Sequence, residues 1–298
     1  NLPVGLAAVL IGRVIIRESR DETPGALPDL LGVLLLVGGS ALLAFSIVQS
    51  ESQGWANRTV IGALLTGAIV LVAFVVRSAR VTSPALDLSL FRDRSFSLAN
   101  AGMFFYSIGF TAMFFGSIFF LTRIWGYPLV RAGMALMPGP LMVVLFAPIT
   151  GRLAGIYGHR RLLVPGGIIY AIGASVLLFG VSTTPHFLSV WLPSTLLTGI
   201  GVSLILPILG GAAVQNLPPE KLAVGSGVNQ AIRQFGTVLG VSLTFAILGD
   251  EPSAVAPFHG IYLLMIFSGL SVTLLSLGLR ARAPGKPREF AQPHISFE

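Results

Sequence analysis

One arginine stands where charge is expensive. Arg233 lies well inside an apolar run that begins at Leu222. A charge at the centre of a membrane helix costs roughly 3 kcal/mol on insertion scales, so Arg233 is a functional candidate by default. Asn229 and Gln230 lie one turn before it and complete a polar cluster expected to face a central cavity. The competing reading is a helix that runs past the membrane surface and lets Arg233 snorkel to the headgroups. Asn100 and Phe104 are further candidates for a substrate pathway. They sit in a run that also holds Phe105, Phe110, Phe114, Phe115, Phe119 and Phe120. Such rings can line an apolar drug pocket, although most are expected against lipid or neighbouring helices.

Other chemistry is missing. The chain has no cysteine, which excludes disulfides and thiolate metal sites. His159, His186, His259 and His294 are far apart and follow no metal-ligand spacing. The sequence therefore calls for no metal and no cofactor. The acids are Glu18, Asp21, Glu22, Asp29, Glu51, Asp87, Asp93, Glu220, Asp250, Glu251, Glu289 and Glu298. None lies inside an apolar run, with Asp29 at an edge. An intramembrane enzyme would need a nucleophile or metal constellation there, so the enzyme class is set aside. Proton coupling would need a titrating carboxylate or histidine there too.

The elements that position these residues are membrane helices. Apolar residues make up 54% of 298, and charged residues 10%, against about 25% charged in a soluble domain. A bilayer-crossing helix needs about 20 apolar residues. Nine runs qualify: 2–16, 30–49, 59–76, 96–122, 132–150, 162–181, 187–214, 222–248 and 260–279. They are continuous rather than alternating, so they are helices and not barrel strands. The expectation is an all-α integral membrane protein.

Loop charges orient it. Alternate connections carry fifteen of the 19 Lys and Arg residues; the opposite set carries Arg58, Arg123 and Arg131, and Arg233 is within a span. The richer face is expected to be cytoplasmic, with Asn1 outside and the C-terminus inside. The net charge of +7 follows from this bias. Because the basic residues are scattered over separate short loops, a nucleic-acid partner is not expected. Glycine (35 residues) and prolines such as Pro138, Pro140, Pro148, Pro165, Pro193 and Pro207 fall within runs, and Gly236-x-x-x-Gly240 allows close helix approach. Rocking bundles use both properties, but any membrane bundle holds many of each.

The segment Gly151-Arg152-Leu153-Ala154-Gly155-Ile156-Tyr157-Gly158-His159-Arg160-Arg161 is a basic, glycine-punctuated turn between the fifth and sixth runs. It resembles the signature loop of the major facilitator superfamily, G-x-L-A-D-R-x-G-R-R, in its second-half copy. Gly155 stands where that pattern has Asp, and Ile156 where it has Arg. The resemblance implies a gating role for Gly151, Arg152, Gly158, Arg160 and Arg161. The missing acid removes the ion pair on which that role rests. Asn1-Leu2-Pro3-Val4-Gly5, Asp29-Leu30-Leu31-Gly32, Pro84 to Arg92, Arg131 to Pro138 and Gly225 to Gly236 resemble, in order, segments of the fourteen-span drug:proton antiporters of the EmrB/QacA type.

That resemblance implies a division of the chain. Residues 1–17 are the last helix of a first bundle, 18–94 two linker helices with cytoplasmic loops, and 95–281 a six-helix second bundle. Residues 282–298 are expected to be a disordered cytoplasmic tail. It further implies a multi-pass protein of the bacterial cytoplasmic (inner) membrane that exports small amphipathic or hydrophobic substrates against protons. The chain starts within an apolar run and would be the C-terminal portion of a longer protein, with the coupling acid in the first bundle. The alternative is an accessory or truncated bundle without transport activity.

Overall fold

The computed structural model describes residues 29–81, 84, 86–249 and 252–279, together with residues 5, 6, 9, 11 and 12. Among them eight helical stretches are long and apolar enough to cross a membrane, and no strand occurs. Nine were expected. The first, 2–16, lies outside the described residues but for those five, and the tail 282–298 lies outside them too.

Caps set the starts. α1 (Leu30–Gln53) opens where the Asp29 side chain accepts from the Gly32 N–H at 2.9 Å. α2 (Arg58–Ser78) opens on Asn57, which accepts from Thr59 N–H at 2.7 Å. α3 (Arg94–Phe119) opens on Asp93, which accepts from Phe96 N–H at 2.8 Å. Each satisfies a backbone donor that a helix start leaves orphaned.

The remaining helices are α4 (Leu129–Leu136), α5 (Pro138–Tyr157), α6 (His159–Gly180), α7 (Leu192–Val214), α8 (Leu222–Leu248) and α9 (Ala256–Leu277). The single run expected at 132–150 is two helices. Pro138 has no N–H to continue α4 and instead takes the first position of α5. α9 starts four residues before the expected run, which takes His259 into its first turn.

α1 and α2 form a hairpin pinned by Arg77, whose guanidinium lies 2.8 Å from the Asp29 carboxylate. The hairpin leans on the six-helix bundle through α1 against α8. Within the bundle α3 is central and touches α7, α8 and α9; α6 packs between α7 and α9, and α5 packs on α7. Glycine permits the closest approaches. A Cβ on Gly236 would lie 2.7 Å from the Phe104 carbonyl, and one on Gly240 2.7 Å from that of Ile108, so this pair seats α8 directly on α3.

Polar ties gather the loops at the two ends. Lys221 Nζ donates to Asp87 Oδ2 (3.1 Å) and Ser89 Oγ (3.2 Å), and His159 Nδ1 lies 2.9 Å from Gln215 Oε1. At the other end Trp125 Nε1 donates to the Ser182 carbonyl at 2.9 Å. The basic residues Arg92, Arg94, Arg160, Arg161 and Lys221 share the first end. The outer faces are apolar. α5 exposes Leu141, Val144, Leu145, Phe146 and Ile149, and α2 exposes Leu65, Ile69 and Val72. Soluble monomers rarely carry contiguous apolar patches of this extent; in a bilayer they are the solvent-facing surface.

Candidate functional site

The polar cluster expected around Arg233 is split. Asn229 and Asn100 are both buried, and Asn229 Nδ2 donates to Asn100 Oδ1 at 2.9 Å across the α3–α8 contact. Asn100 Nδ2 in turn donates to the Phe96 carbonyl at 2.9 Å. Arg233 follows Asn229 by four residues on the same stripe of α8. It is half-buried, and its Nε is buried without a hydrogen-bond partner among the described residues. Gln230 is exposed, because neighbouring positions on a helix point apart.

Phe104 packs against neighbouring rings. It stacks on Phe235 with centroids 5.8 Å apart and meets Phe105 edge-on at 5.4 Å. Phe105 packs on Phe267, and Phe115 and Phe119 on Phe245. Most of the Phe-rich run therefore binds helix to helix, as expected.

Phe110 and Phe114 are different. They line a cavity of about 390 Å³ between α3, the α4–α5 break and α7, with Met113, Val143, Trp191 and Thr198 among its walls. Three hydroxyls on the wall are used by their own scaffold: Thr198 donates to the Ser194 carbonyl at 2.9 Å, Ser194 to that of Gly173 at 2.7 Å, and Thr195 to that of Trp191. The cavity is left largely apolar. Trp191 Nε1 is buried without a partner among the described residues, while its ring stacks on Phe120 at 5.7 Å. Such a space accepts an apolar molecule by burial. Reading the sequence found Phe110 and Phe114 but missed Met113, Val143, Trp191 and Thr198. Their only signals were Pro140 beside the helix break and a tryptophan at a helix start.

The expected gating loop is barely a loop. Gly151 and Arg152 belong to the last turns of α5, and Arg160 and Arg161 to the first turn of α6. The turn is Gly158 alone, whose φ of 86° suits glycine. Nothing between Gly151 and Tyr157 interrupts α5, so the helix persists to its end. Arg152, Arg160 and Arg161 form no ion pair among the described residues, consistent with Gly155 in place of an acid.

A bundle of this order, with a signature segment at its α5–α6 joint, can be compared with known families. The model of the Major Facilitator Superfamily matches residues 100–297, about two thirds of the chain. The chain belongs to the Major Facilitator Superfamily. Among its superfamily relatives it is similar to the tetracenomycin C resistance and export protein of Streptomyces glaucescens. They share 28% identity over 262 residues, covering 86% of this chain and 47% of that protein. It is similar to a multidrug resistance protein B homolog of Mycobacterium tuberculosis, at 29% over 250 residues, 83% of this chain and 46% of that one. It is also similar to the multidrug export protein EmrB of Haemophilus influenzae, at 31% over 249 residues, 82% of this chain and 48% of that one. The chain thus spans about half the length of the curated relatives it matches.

Proposed function

We propose that these residues form the linker hairpin and second six-helix bundle of a fourteen-span, proton-coupled multidrug antiporter of the EmrB/QacA type, working by alternating access. Its place is the bacterial cytoplasmic membrane, with the basic end of the bundle and the C-terminus in the cytoplasm. Residues 1–17 then close a first bundle, 18–94 are the linker, 95–281 the second bundle and 282–298 its tail. The observation that carries the reading is the apolar cavity of about 390 Å³ between α3, α5 and α7. It suits a small hydrophobic or amphipathic substrate, and the relatives are named for multidrug resistance and multidrug export.

Asn229, Arg233 and Asn100 lie on the α3–α8 seam, outside the lining of that space, and we place them on the substrate pathway rather than in proton coupling. None of the helices α3 to α9 carries a carboxylate, so coupling falls to an acid in the first bundle. Residues 1–298 alone then do not catalyse antiport.

The test is efflux of a lipophilic fluorescent dye from cells expressing the full-length gene product, beside Val143→Trp, which fills the cavity, and Leu141→Trp, which points outward from α5. Val143→Trp is expected to slow efflux at least tenfold at equal membrane level, with Leu141→Trp near the parent. Unchanged efflux in Val143→Trp would remove the cavity from the pathway. Proton-driven efflux by residues 1–298 alone would overturn the assignment of coupling.

A further inference from the structure

Where the linker hairpin meets the bundle, a second apolar space of about 490 Å³ runs between α1 and α8. Val37 and Ala41 form one wall, and Val228, Ala231 and Phe235 the other, with Leu86 at its lower end. A polar pocket of about 660 Å³ lies at the basic end, lined by Ser78, Asp87, Ser89, Arg92, Lys221 and Val224. The two are consecutive along the chain on both sides. Leu86 lines the first and Asp87 the second; Val228 lines the first and Val224, one turn earlier on α8, the second. Together they make one amphipathic groove.

We propose that this groove holds an anionic phospholipid, with its headgroup at Arg92 and Lys221 and an acyl chain lying along α8. Three features of the groove point to that occupant.

The first is charge. Lys221 is already paired with Asp87 at 3.1 Å, whereas Arg92 is exposed and has no partner among the described residues. The pocket therefore carries one uncompensated positive charge. Basic pockets between membrane helices at the cytoplasmic side recruit anionic headgroups.

The second is an unused donor. Ser78 is buried, and its hydroxyl has no hydrogen-bond partner among the described residues. A buried hydroxyl without a partner is costly, and a phosphate oxygen would accept from it.

The third is depth. At about 1.5 Å per residue, Val228 to Val238 lie about 9 to 24 Å along α8 from its start at Leu222. One leaflet's hydrocarbon is about half of a ~30 Å core, so an acyl chain anchored at Lys221 would lie along the nearer part of this wall. The groove opens sideways to the bilayer, where Val37 is 59% and Val238 42% exposed. A free phosphate would fill the polar pocket and leave the apolar groove uncovered, which is why the lipid is the better occupant. The proposal rests on membrane insertion with the basic end in the cytoplasm, as proposed above, and does not depend on what the protein transports.

The experiment is native mass spectrometry of the full-length protein titrated with phosphatidylglycerol or phosphatidylcholine. Two variants change exposed wall residues, Arg92→Gln at the headgroup and Ala231→Trp in the groove; circular dichroism checks that each keeps the parent's helicity. The parent is expected to retain phosphatidylglycerol roughly fivefold better than phosphatidylcholine, the preference expected of one nearby cation. Arg92→Gln should abolish that preference, and Ala231→Trp should lower retention of both lipids. Equal retention of the two lipids by the parent would overturn the proposal. So would displacement of phosphatidylglycerol by inorganic phosphate together with indifference to Ala231→Trp, which would identify a free-anion pocket.

Discussion

Asn229 donates its side-chain amide to the Asn100 carbonyl oxygen at 2.9 Å, and this bond joins α8 to α3 where both residues are buried. In a bilayer there is no water to replace it. Interhelical hydrogen bonds in membranes nevertheless average only about 0.6 kcal/mol, because the unfolded helix also finds partners. A double-mutant cycle with Asn100→Ala and Asn229→Ala, read from denaturant unfolding of the full-length protein in detergent, should therefore give a coupling of about 0.5–1.5 kcal/mol. A coupling indistinguishable from zero would mean the two amides do not meet in the folded protein.

The same seam makes a sharper prediction through its glycines. Gly236 and Gly227 lie on one helix, nine residues apart. A Cβ on Gly236 would lie 2.7 Å from the Phe104 carbonyl, whereas one on Gly227 meets nothing within 4 Å. Gly236→Ala must push α8 off α3 and should cost about 1–3 kcal/mol, as overpacking does. Gly227→Ala only removes backbone freedom from a helix and should be neutral or stabilising by up to about 1 kcal/mol. Thermal unfolding of the two variants side by side decides it; equal melting temperatures would refute the close contact at Gly236.

These contrasts show what could be read from the sequence and what could not. The run 222–248 coincides with α8 because a long apolar segment in a bilayer has one way to satisfy its backbone. The joint at Ser182 to His186 marks a real break between α6 and the turn starting at Phe187 for the same reason. Gly236-x-x-x-Gly240 was legible as a contact since small residues at that spacing have few other uses. The division of α4 from α5 was written in Pro138 but masked by unbroken hydropathy on both sides.

The cavity was legible only in Phe110 and Phe114. Phe110, Val143 and Trp191 come from three helices, and nothing in an apolar residue's identity says whether it faces lipid, a neighbour or a void. The cluster at Arg233 was legible only in part. Asn229 and Gln230 are adjacent in sequence, but a helix turns them to different surfaces, one to Asn100 and the other outward.

The tie between linker and bundle has a pH dependence that can be stated in advance. Asp87 lies outside the spans, and its carboxyl is held below its ordinary value. The side-chain hydrogen bond from Ser89 is the main cause, aided by hydrogen bonding and attraction from Lys221 and opposed by partial burial. A carboxyl whose folded pKa is lowered stabilises the fold above its unfolded pKa, about 3.9, and loses that contribution as pH falls through the lowered value. The difference in melting temperature between the parent and Asp87→Asn should thus be constant from pH 8 to about pH 5. Below about pH 4 it should shrink, because the protonated Asp87 then resembles the amide. Tryptophan fluorescence of the full-length protein, melted at unit pH steps in one detergent, makes the comparison. A difference that grows on acidification would mean that Asp87 carries a raised pKa, and that its pairing with Lys221 is not what holds the segment at 87–92 against the start of α8.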